Sequence, residues 1–335
     1  AIPVRLWEYY RITGDSELVL ELYEGIRRFM KFLYELEDSD GMLREVPYPL
    51  FFDWSPLNKK GTLSVMNFYY ARSLMGAAEL AKAAGCDKDA AVYEARLNRI
   101  RESGTMFWNE RMGAFVEYID ENGEQSLAVC EHSNALALSC GIGTDEMRQQ
   151  LLHTVFEQGL GFDENPGIIK SAPSFQAHVL QGLSDAGRPD LILDFFRKRN
   201  MLWIKYGYET TPEVWDFDPR TLDSAAQATT PEAHFIISEL LGIKPYKAGY
   251  SSFLLEPFLN GMTWIEGSKP TPFGDIRVRC ELHGSSVAVK LKKPPQAECR
   301  VYPPKGCKKT GNEDFVLVPE GCEDEVELLF ERIHK

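Results

Sequence analysis

"SELVLELYEGIRRFMKFLYEL", residues 16 to 36, decides the fold class. Its apolar residues Leu18, Leu20, Leu22, Tyr23, Ile26, Phe29, Met30, Phe32, Leu33 and Leu36 recur at helical rather than alternating spacing, which predicts an amphipathic helix with a broad apolar face. Asp15 stands at the N-cap position. The same period runs over residues 63–85, 87–108, 126–141, 144–159, 173–187, 188–199 and 230–242, and several of these stretches open with Asp, Thr or Ser and close on Gly. With the short "AIPVRLWEYYRITG" (1–14) in front, about nine helices are expected, joined by loops that alternate short and long. That alternation suggests stacked antiparallel helix pairs.

After "GIKPYKAGYSS" the pattern changes. "SSFLLEPF" (251–258), "MTWIEGS" (262–268), "DIRVRCELHGSSVAVKLKKP" (275–294), "ECRVYPP" (298–304), "DFVLVPEG" (314–321) and "EVELLFERI" (325–333) are short alternating or β-branched runs broken by Gly and Pro. They predict a small antiparallel β-sandwich. The division expected is a helical domain over 1–247 and a β domain over 248–335.

Composition narrows the function. A formal charge of −13 (37 Lys and Arg, 50 Asp and Glu) opposes binding to nucleic acid, which is driven by phosphates meeting Lys and Arg. No apolar run approaches the roughly 20 residues of a membrane span, so a soluble chain is expected. Seven cysteines without CxxC spacing signal neither a zinc site nor a complete disulfide framework, which favours free thiols in a reducing, cytoplasmic compartment. Gly-rich phosphate loops, HExxH and GxSxG are absent, and the six histidines are scattered, so the sequence calls for no metal and no cofactor. His153 and His178, inside helical patterns, read as surface or packing residues. Phe107 and Trp108 read as core, and "RMGAFVEYIDENGE" (111–124) as a hairpin-like loop turning at Glu121, Asn122 and Gly123.

What remains is carboxylate beside aromatic surface in long loops, 39–60, 111–125, 159–171 and 205–227. Rings stack on the C–H faces of pyranoses, carboxylates bond their hydroxyls, and two carboxyls supply the acid and the base for glycoside cleavage. Both "YPLFFDWSPLN" (48–58) and "YETTPEVWDFD" (208–218) fit that description. The residues alone rank none of the four carboxylates in the second stretch.

The order "FFDWSP" (51–56), "CEHSNALALSCGI" (130–142), "SDAGRPDLILDFF" (184–196), "YETTPEVW" (208–215), "ISELLGIKP" (237–245) and "PTPFGDIRV" (270–278) resembles the bacterial α-L-rhamnosidases of glycoside hydrolase family 78 over essentially the whole chain. The resemblance implies an (α/α)6 six-hairpin toroid followed by a β-sandwich, and inverting hydrolysis of terminal α-L-rhamnosides. It places the general base on Glu213 and the family's "GDW" loop on Phe52, Asp53 and Trp54. Asp53, Trp54, Glu209, Trp215, Asp216, Gln227 and His132 then become pocket residues, with Glu209 a rival base and Asp216 and Asp218 alternatively caps or solvated charges. Glu131 and His132 match a helix lining the inner side of the toroid, where His132 can pack, hydrogen-bond or touch sugar.

Three departures qualify the match. Pro212 replaces the aromatic that normally precedes the base, so Trp215 is the alternative pocket wall. Ala226 and Gln227 stand where the family has a sugar-contacting "NH" pair. The "RDE" segment that supplies the general acid falls upstream of residue 1, and about three of twelve helices are expected there too. Exposed helix faces would then be covered by that region or by a second copy of the chain. The alternative function is a non-catalytic carbohydrate-binding or assembly fragment.

Overall fold

The helix over residues 16–34 buries a narrower stripe than its composition offers. In the computed structural model, which describes residues 2–44, 46–208, 210–215, 231–308 and 313–333, helix α1 (Ile2–Thr13) is followed by α2 (Ser16–Tyr34), whose buried residues are Val19, Tyr23, Ile26, Met30 and Leu33. Those positions step by three and four, one ridge of an α-helix. Leu20, Leu22 and Phe32 stay exposed. Asp15 caps α2, its carboxylate accepting the Leu18 backbone N–H at 3.0 Å.

The chain divides into two compact units, Ala1–Leu6 with Val19–Pro231 and Trp7–Leu18 with Glu232–Lys335. In the first, α3 (Ser64–Ala83), α4 (Asp87–Ser103), α5 (Glu131–Cys140), α6 (Asp145–Leu151), α7 (Gln176–Asp185), α8 (Pro189–Phe195) and α9 (Met201–Lys205) follow one another. The linkers α3–α4, α5–α6 and α7–α8 are so short that each pair must run antiparallel. Helix α5 packs against both α3 and α7, and every residue of α5 is buried. These three form an inner layer, while α4 and α6 keep exposed outer faces. Gly182 of α7 lets the inner helices touch: a Cβ there would stand 2.5 Å from the Ala135 carbonyl oxygen of α5. A π turn over Leu152–Glu157 extends α6, and another over Phe196–Asn200 joins α8 to α9.

Each of two inner helices is fastened at its N-terminal end by a buried asparagine in its first turn. Asn67 accepts the Leu43 N–H (2.7 Å) and donates to the carbonyls of Leu43 (3.1 Å) and Leu63 (2.9 Å). Asn134 does the same with Phe115 N–H (3.0 Å), Phe115 O and Cys130 O (both 2.9 Å). A side-chain amide thus replaces a strand partner, and it satisfies buried backbone groups that would otherwise cost about 1–3 kcal/mol each.

Six two-residue strands, β1 (Thr62–Leu63), β2 (Trp108–Asn109), β3 (Ala114–Phe115), β4 (Tyr118–Ile119), β5 (Val129–Cys130) and β6 (Ile168–Ile169), stitch the long loops as the pairs β1–β4, β2–β3 and β5–β6. The 111–124 loop turns where expected, Asp120 accepting the N–H groups of Asn122 and Glu124 at 2.9 Å. Phe107 and Trp108 are core, His153 lies on the surface against Glu157, and His178 is buried against Tyr69. Burial pushes His178 down to about 3, so it is neutral.

In the second unit, α10 (Glu232–Phe235) runs on through a π turn (Ile236–Leu240). Counting each π turn with the helix it extends, the described residues hold nine helices. Then come β7 (Ile243–Pro245), β8 (Ser252–Leu255), β9 (Trp264–Thr271), β10 (Gly274–His283), β11 (Ser286–Lys292), β12 (Glu298–Val301), β13 (Val316–Val318) and β14 (Val326–Glu331). They form two four-stranded sheets, β14–β11–β10–β9 and β13–β12–β8–β7. Ile276, Val278 and Cys280 of β10, Val287, Val289 and Leu291 of β11, and Phe253, Leu255, Cys299 and Val301 of the other sheet share one core. Within these two sheets all pairs are antiparallel except β8 with β12, because the chain visits the other sheet between them. All seven cysteines are free thiols.

Candidate active site

Asp53 sets the geometry of the 48–58 loop. It is buried and accepts three hydrogen bonds: Ser55 N–H at 2.8 Å, closing a local turn, His132 Nε2–H at 2.7 Å, and Ala172 N–H at 2.7 Å. The loop is thereby tied to the first turn of α5 and to the segment before α7. At its far end the Asn58 N–H bonds the carboxylate of Glu117, whose burial raises its pKa.

With Asp53 pointing inward, Trp54 points out. Its ring is 57% exposed, meets Phe51 edge-on at 5.1 Å, and donates its indole N–H to Glu213 Oε1 at 2.6 Å across 159 residues of sequence. Glu213 itself is partly exposed. Two residues on, Trp215 stacks on Trp203 (5.0 Å, 18° between planes), meets Phe162 edge-on at 5.1 Å, and donates to the Ser171 carbonyl at 2.7 Å. Pro212, in place of an aromatic, is buried. Of the residues singled out in the sequence, Asp53, Trp54, His132, Glu213 and Trp215 are thus linked in one region of the first unit. Glu209, Asp216 and Gln227 lie outside the described residues.

Electrostatics separate the roles. Burial opposes ionisation of Asp53, but His132 and the N–H groups of Ser55 and Ala172 hold its pKa below the ordinary value. Burial likewise opposes charge on His132, yet the Asp53 carboxylate together with Cys130 outweighs it and the imidazole is pushed up to about 9. The pair is therefore ionic near neutrality.

The sign of its effect on stability follows. The Asp53 contribution is present above the ordinary carboxylate pKa and is lost as pH falls through a lower folded value. The His132 contribution is complete below about 6.5 and is lost as pH rises through about 9. Wild-type Tm is expected to fall between pH 6.5 and 9 through this pair, and Asp53→Asn to remove that part of the slope. Parallel Tm profiles for the two proteins would contradict the assignment.

Sequence reasoning missed the partner of Glu131. Arg199, from the π turn between α8 and α9, donates to both Glu131 carboxylate oxygens, and neither side chain is exposed. Lys170 Nζ lies 3.9 Å from Glu131 Oε1. A cleft of about 920 Å³ elsewhere on the first unit is lined by Arg44, Lys59, Lys60, Tyr118, Asp120 and Glu121, and by none of the described candidates. Arg44 there is already paired with Asp38 at 2.8 Å.

The helical part, residues 1–241, matches the model of the bacterial α-L-rhamnosidase six-hairpin glycosidase domain, and residues 242–317 match that of the bacterial α-L-rhamnosidase C-terminal domain. The chain belongs to the bacterial α-L-rhamnosidase family. Among its relatives, a curated α-L-rhamnosidase of Alteromonas sp. (strain LOR) is 22% identical over 341 residues, covering 91% of this chain and 34% of the relative. A family 78 rhamnosidase from Bacillus sp. GL1 superposes with a TM-score of 0.78 at 23% identity, over 89% of this chain and 32% of that one. The α-L-rhamnosidase of Dictyoglumus thermophilum gives 0.74 at 16% identity, over 97% and 38%. That of Streptomyces avermitilis, solved with L-rhamnose, gives 0.69 at 17%, over 97% and 32%. The rhamnosidase-like chain thus spans about a third of the length of these relatives, and its architecture is a six-hairpin glycosidase domain followed by a β domain. Among the described residues no helix is long and apolar enough to cross a membrane.

Proposed function

We propose that this chain carries the general-base side of a glycosidase site that hydrolyses terminal α-L-rhamnosides with inversion, Glu213 taking the proton from the attacking water. The observation that carries this reading is the Trp54–Glu213 hydrogen bond, which unites the two carboxylate-and-aromatic loops singled out in the sequence. It orients one carboxylate oxygen and leaves the other for water, since no other described residue hydrogen-bonds to Glu213. Trp54 and Trp215 offer ring faces for the sugar. Asp53, buried and held ionised, suits orientation of its loop and not proton donation. Inversion requires a second carboxyl roughly 6.5–9.5 Å from the base to protonate the leaving group. His132 fixes Asp53 from behind, and Glu209, Asp216 and Gln227 are proposed as further sugar contacts. The family's name and the L-rhamnose bound to the Streptomyces avermitilis relative support this sugar.

The test is hydrolysis of p-nitrophenyl α-L-rhamnoside by the full-length protein beside a panel of other aryl glycosides, with proton NMR of the first sugar released. Preference for the rhamnoside and initial release of the β anomer are expected. Release of the α anomer would show retention and remove Glu213 from the base role. Binding of L-rhamnose without turnover would leave only the carbohydrate-binding alternative.

A further inference from the structure

Lys170, Ser171 and Ala172 are three consecutive residues that hold both loops of the candidate site, and they do so mainly with backbone groups. Lys170 O accepts Ser55 Oγ–H (2.8 Å), Ser171 O accepts the Trp215 indole (2.7 Å), and Ala172 N–H donates to Asp53 (2.7 Å). The segment is itself anchored from below. Ser171 donates its N–H (3.0 Å) and its hydroxyl (3.1 Å) to the same oxygen of Glu131. Glu131 is gripped by the Arg199 guanidinium fork, and Arg199 also donates to the Leu160 carbonyl (2.6 Å) and packs over Phe195 (4.5 Å) and Phe162 (5.3 Å). Phe162 is the ring that meets Trp215 edge-on.

Two routes therefore run from Arg199 to the site, one through Glu131 and Ser171, the other through Phe162. A buried ion pair is weak evidence for stability, because an apolar pair of similar volume often serves as well. This one has a geometric output, since its carboxylate has spare lone pairs and spends them on the segment that holds Asp53 and Trp215.

We infer that Arg199 and Glu131 are positioning residues for the candidate active site, setting through the segment of Ser171 the placement of Trp215 and of the loop that Asp53 anchors. The inference rests on the glycosidase reading above. A planar fork matters here, because Lys delivers a point charge without bidentate geometry. Displacement of a binding group by about 1 Å from a remote change can cost on the order of 10²-fold.

The test is Arg199→Lys in the full-length protein, with Ser171→Ala as a second variant that leaves the ion pair intact. KM for p-nitrophenyl α-L-rhamnoside is expected to rise about tenfold in Arg199→Lys while kcat changes less, with a smaller shift in the same direction for Ser171→Ala. In fluorotryptophan-labelled protein, the Trp215 fluorine resonance, assigned by its loss in Trp215→Phe, is expected to move in both variants. An unchanged KM, with kcat lowered only in proportion to the folded fraction, would reduce Arg199 to a structural role and overturn the inference. If the wild-type protein hydrolyses no rhamnoside, the functional reading fails and the resonance alone decides: an unmoved Trp215 signal in folded variants sinks the positioning role. Should Arg199→Lys not fold, Ser171→Ala decides on both readouts.

Discussion

Replacing Glu213 by Gln is expected to lower kcat on an aryl α-L-rhamnoside by about 10²–10⁴-fold, the usual contribution of a general base, with KM changed far less. The amide keeps the size of the carboxylate and can still accept the Trp54 indole N–H, so the loop is expected to stay in place while the proposed base is gone. A small anion such as azide supplies its own nucleophile without needing deprotonation, so it is expected to restore part of the rate. Wild-type turnover by Glu213→Gln would pass the role to Glu209, its neighbour across the Thr pair. The measurement is steady-state release of p-nitrophenol with and without azide.

The second large effect is on stability. Arg199→Met leaves Glu131 fully buried, with Lys170 at 3.9 Å as its nearest remaining cation. Losing one partner of a buried pair costs about 3–5 kcal/mol. Lys170 offsets part of this, although its bond to the Gly159 carbonyl limits how far it can turn, so the lower part of that range is expected. For a unit of this size that corresponds to a drop of roughly 10 °C in Tm. Pairing the change with Glu131→Leu removes the orphaned charge and is expected to recover much of the stability, but not the placement of Ser171. Thermal unfolding followed by near-UV circular dichroism checks both variants. Equal Tm values for the single and double variants would show that the unpaired carboxylate is not what costs stability.

The helical period in residues 16–36 and the alternation after residue 250 state the architecture openly, because burial on one face imposes a repeat on residue type. Loop contacts impose no such repeat. The Trp54–Glu213 contact was within reach only through the resemblance of two loops to one family, and periodicity does not say that, of the apolar α2 residues, Leu20, Leu22 and Phe32 remain exposed. The Lys170–Ala172 segment was invisible for a different reason. It works through carbonyls and N–H groups that every residue type carries, so no side chain marks it. Arg199 was hidden by the π turn, which displaces its side chain from the position a regular α-helix would give. Asn67 and Asn134 had a signal that went unread, an asparagine in the first turn of an otherwise apolar inner helix, where polar residues are rarely buried without a partner.

The parallel pairing of β8 with β12 has a consequence for how the β domain is made. Forty-two residues separate Leu255 from Glu298, and β9, β10 and β11 lie between them in the other sheet. At about 5–20 residues per second, β8 leaves the ribosome several seconds before its neighbour exists. Through that interval "SFLL" carries an open apolar edge, the kind that pairs with other chains. A polypeptide ending anywhere between residues 256 and 298 would keep that edge for good, so premature termination in this stretch yields a sticky product rather than a merely shortened one.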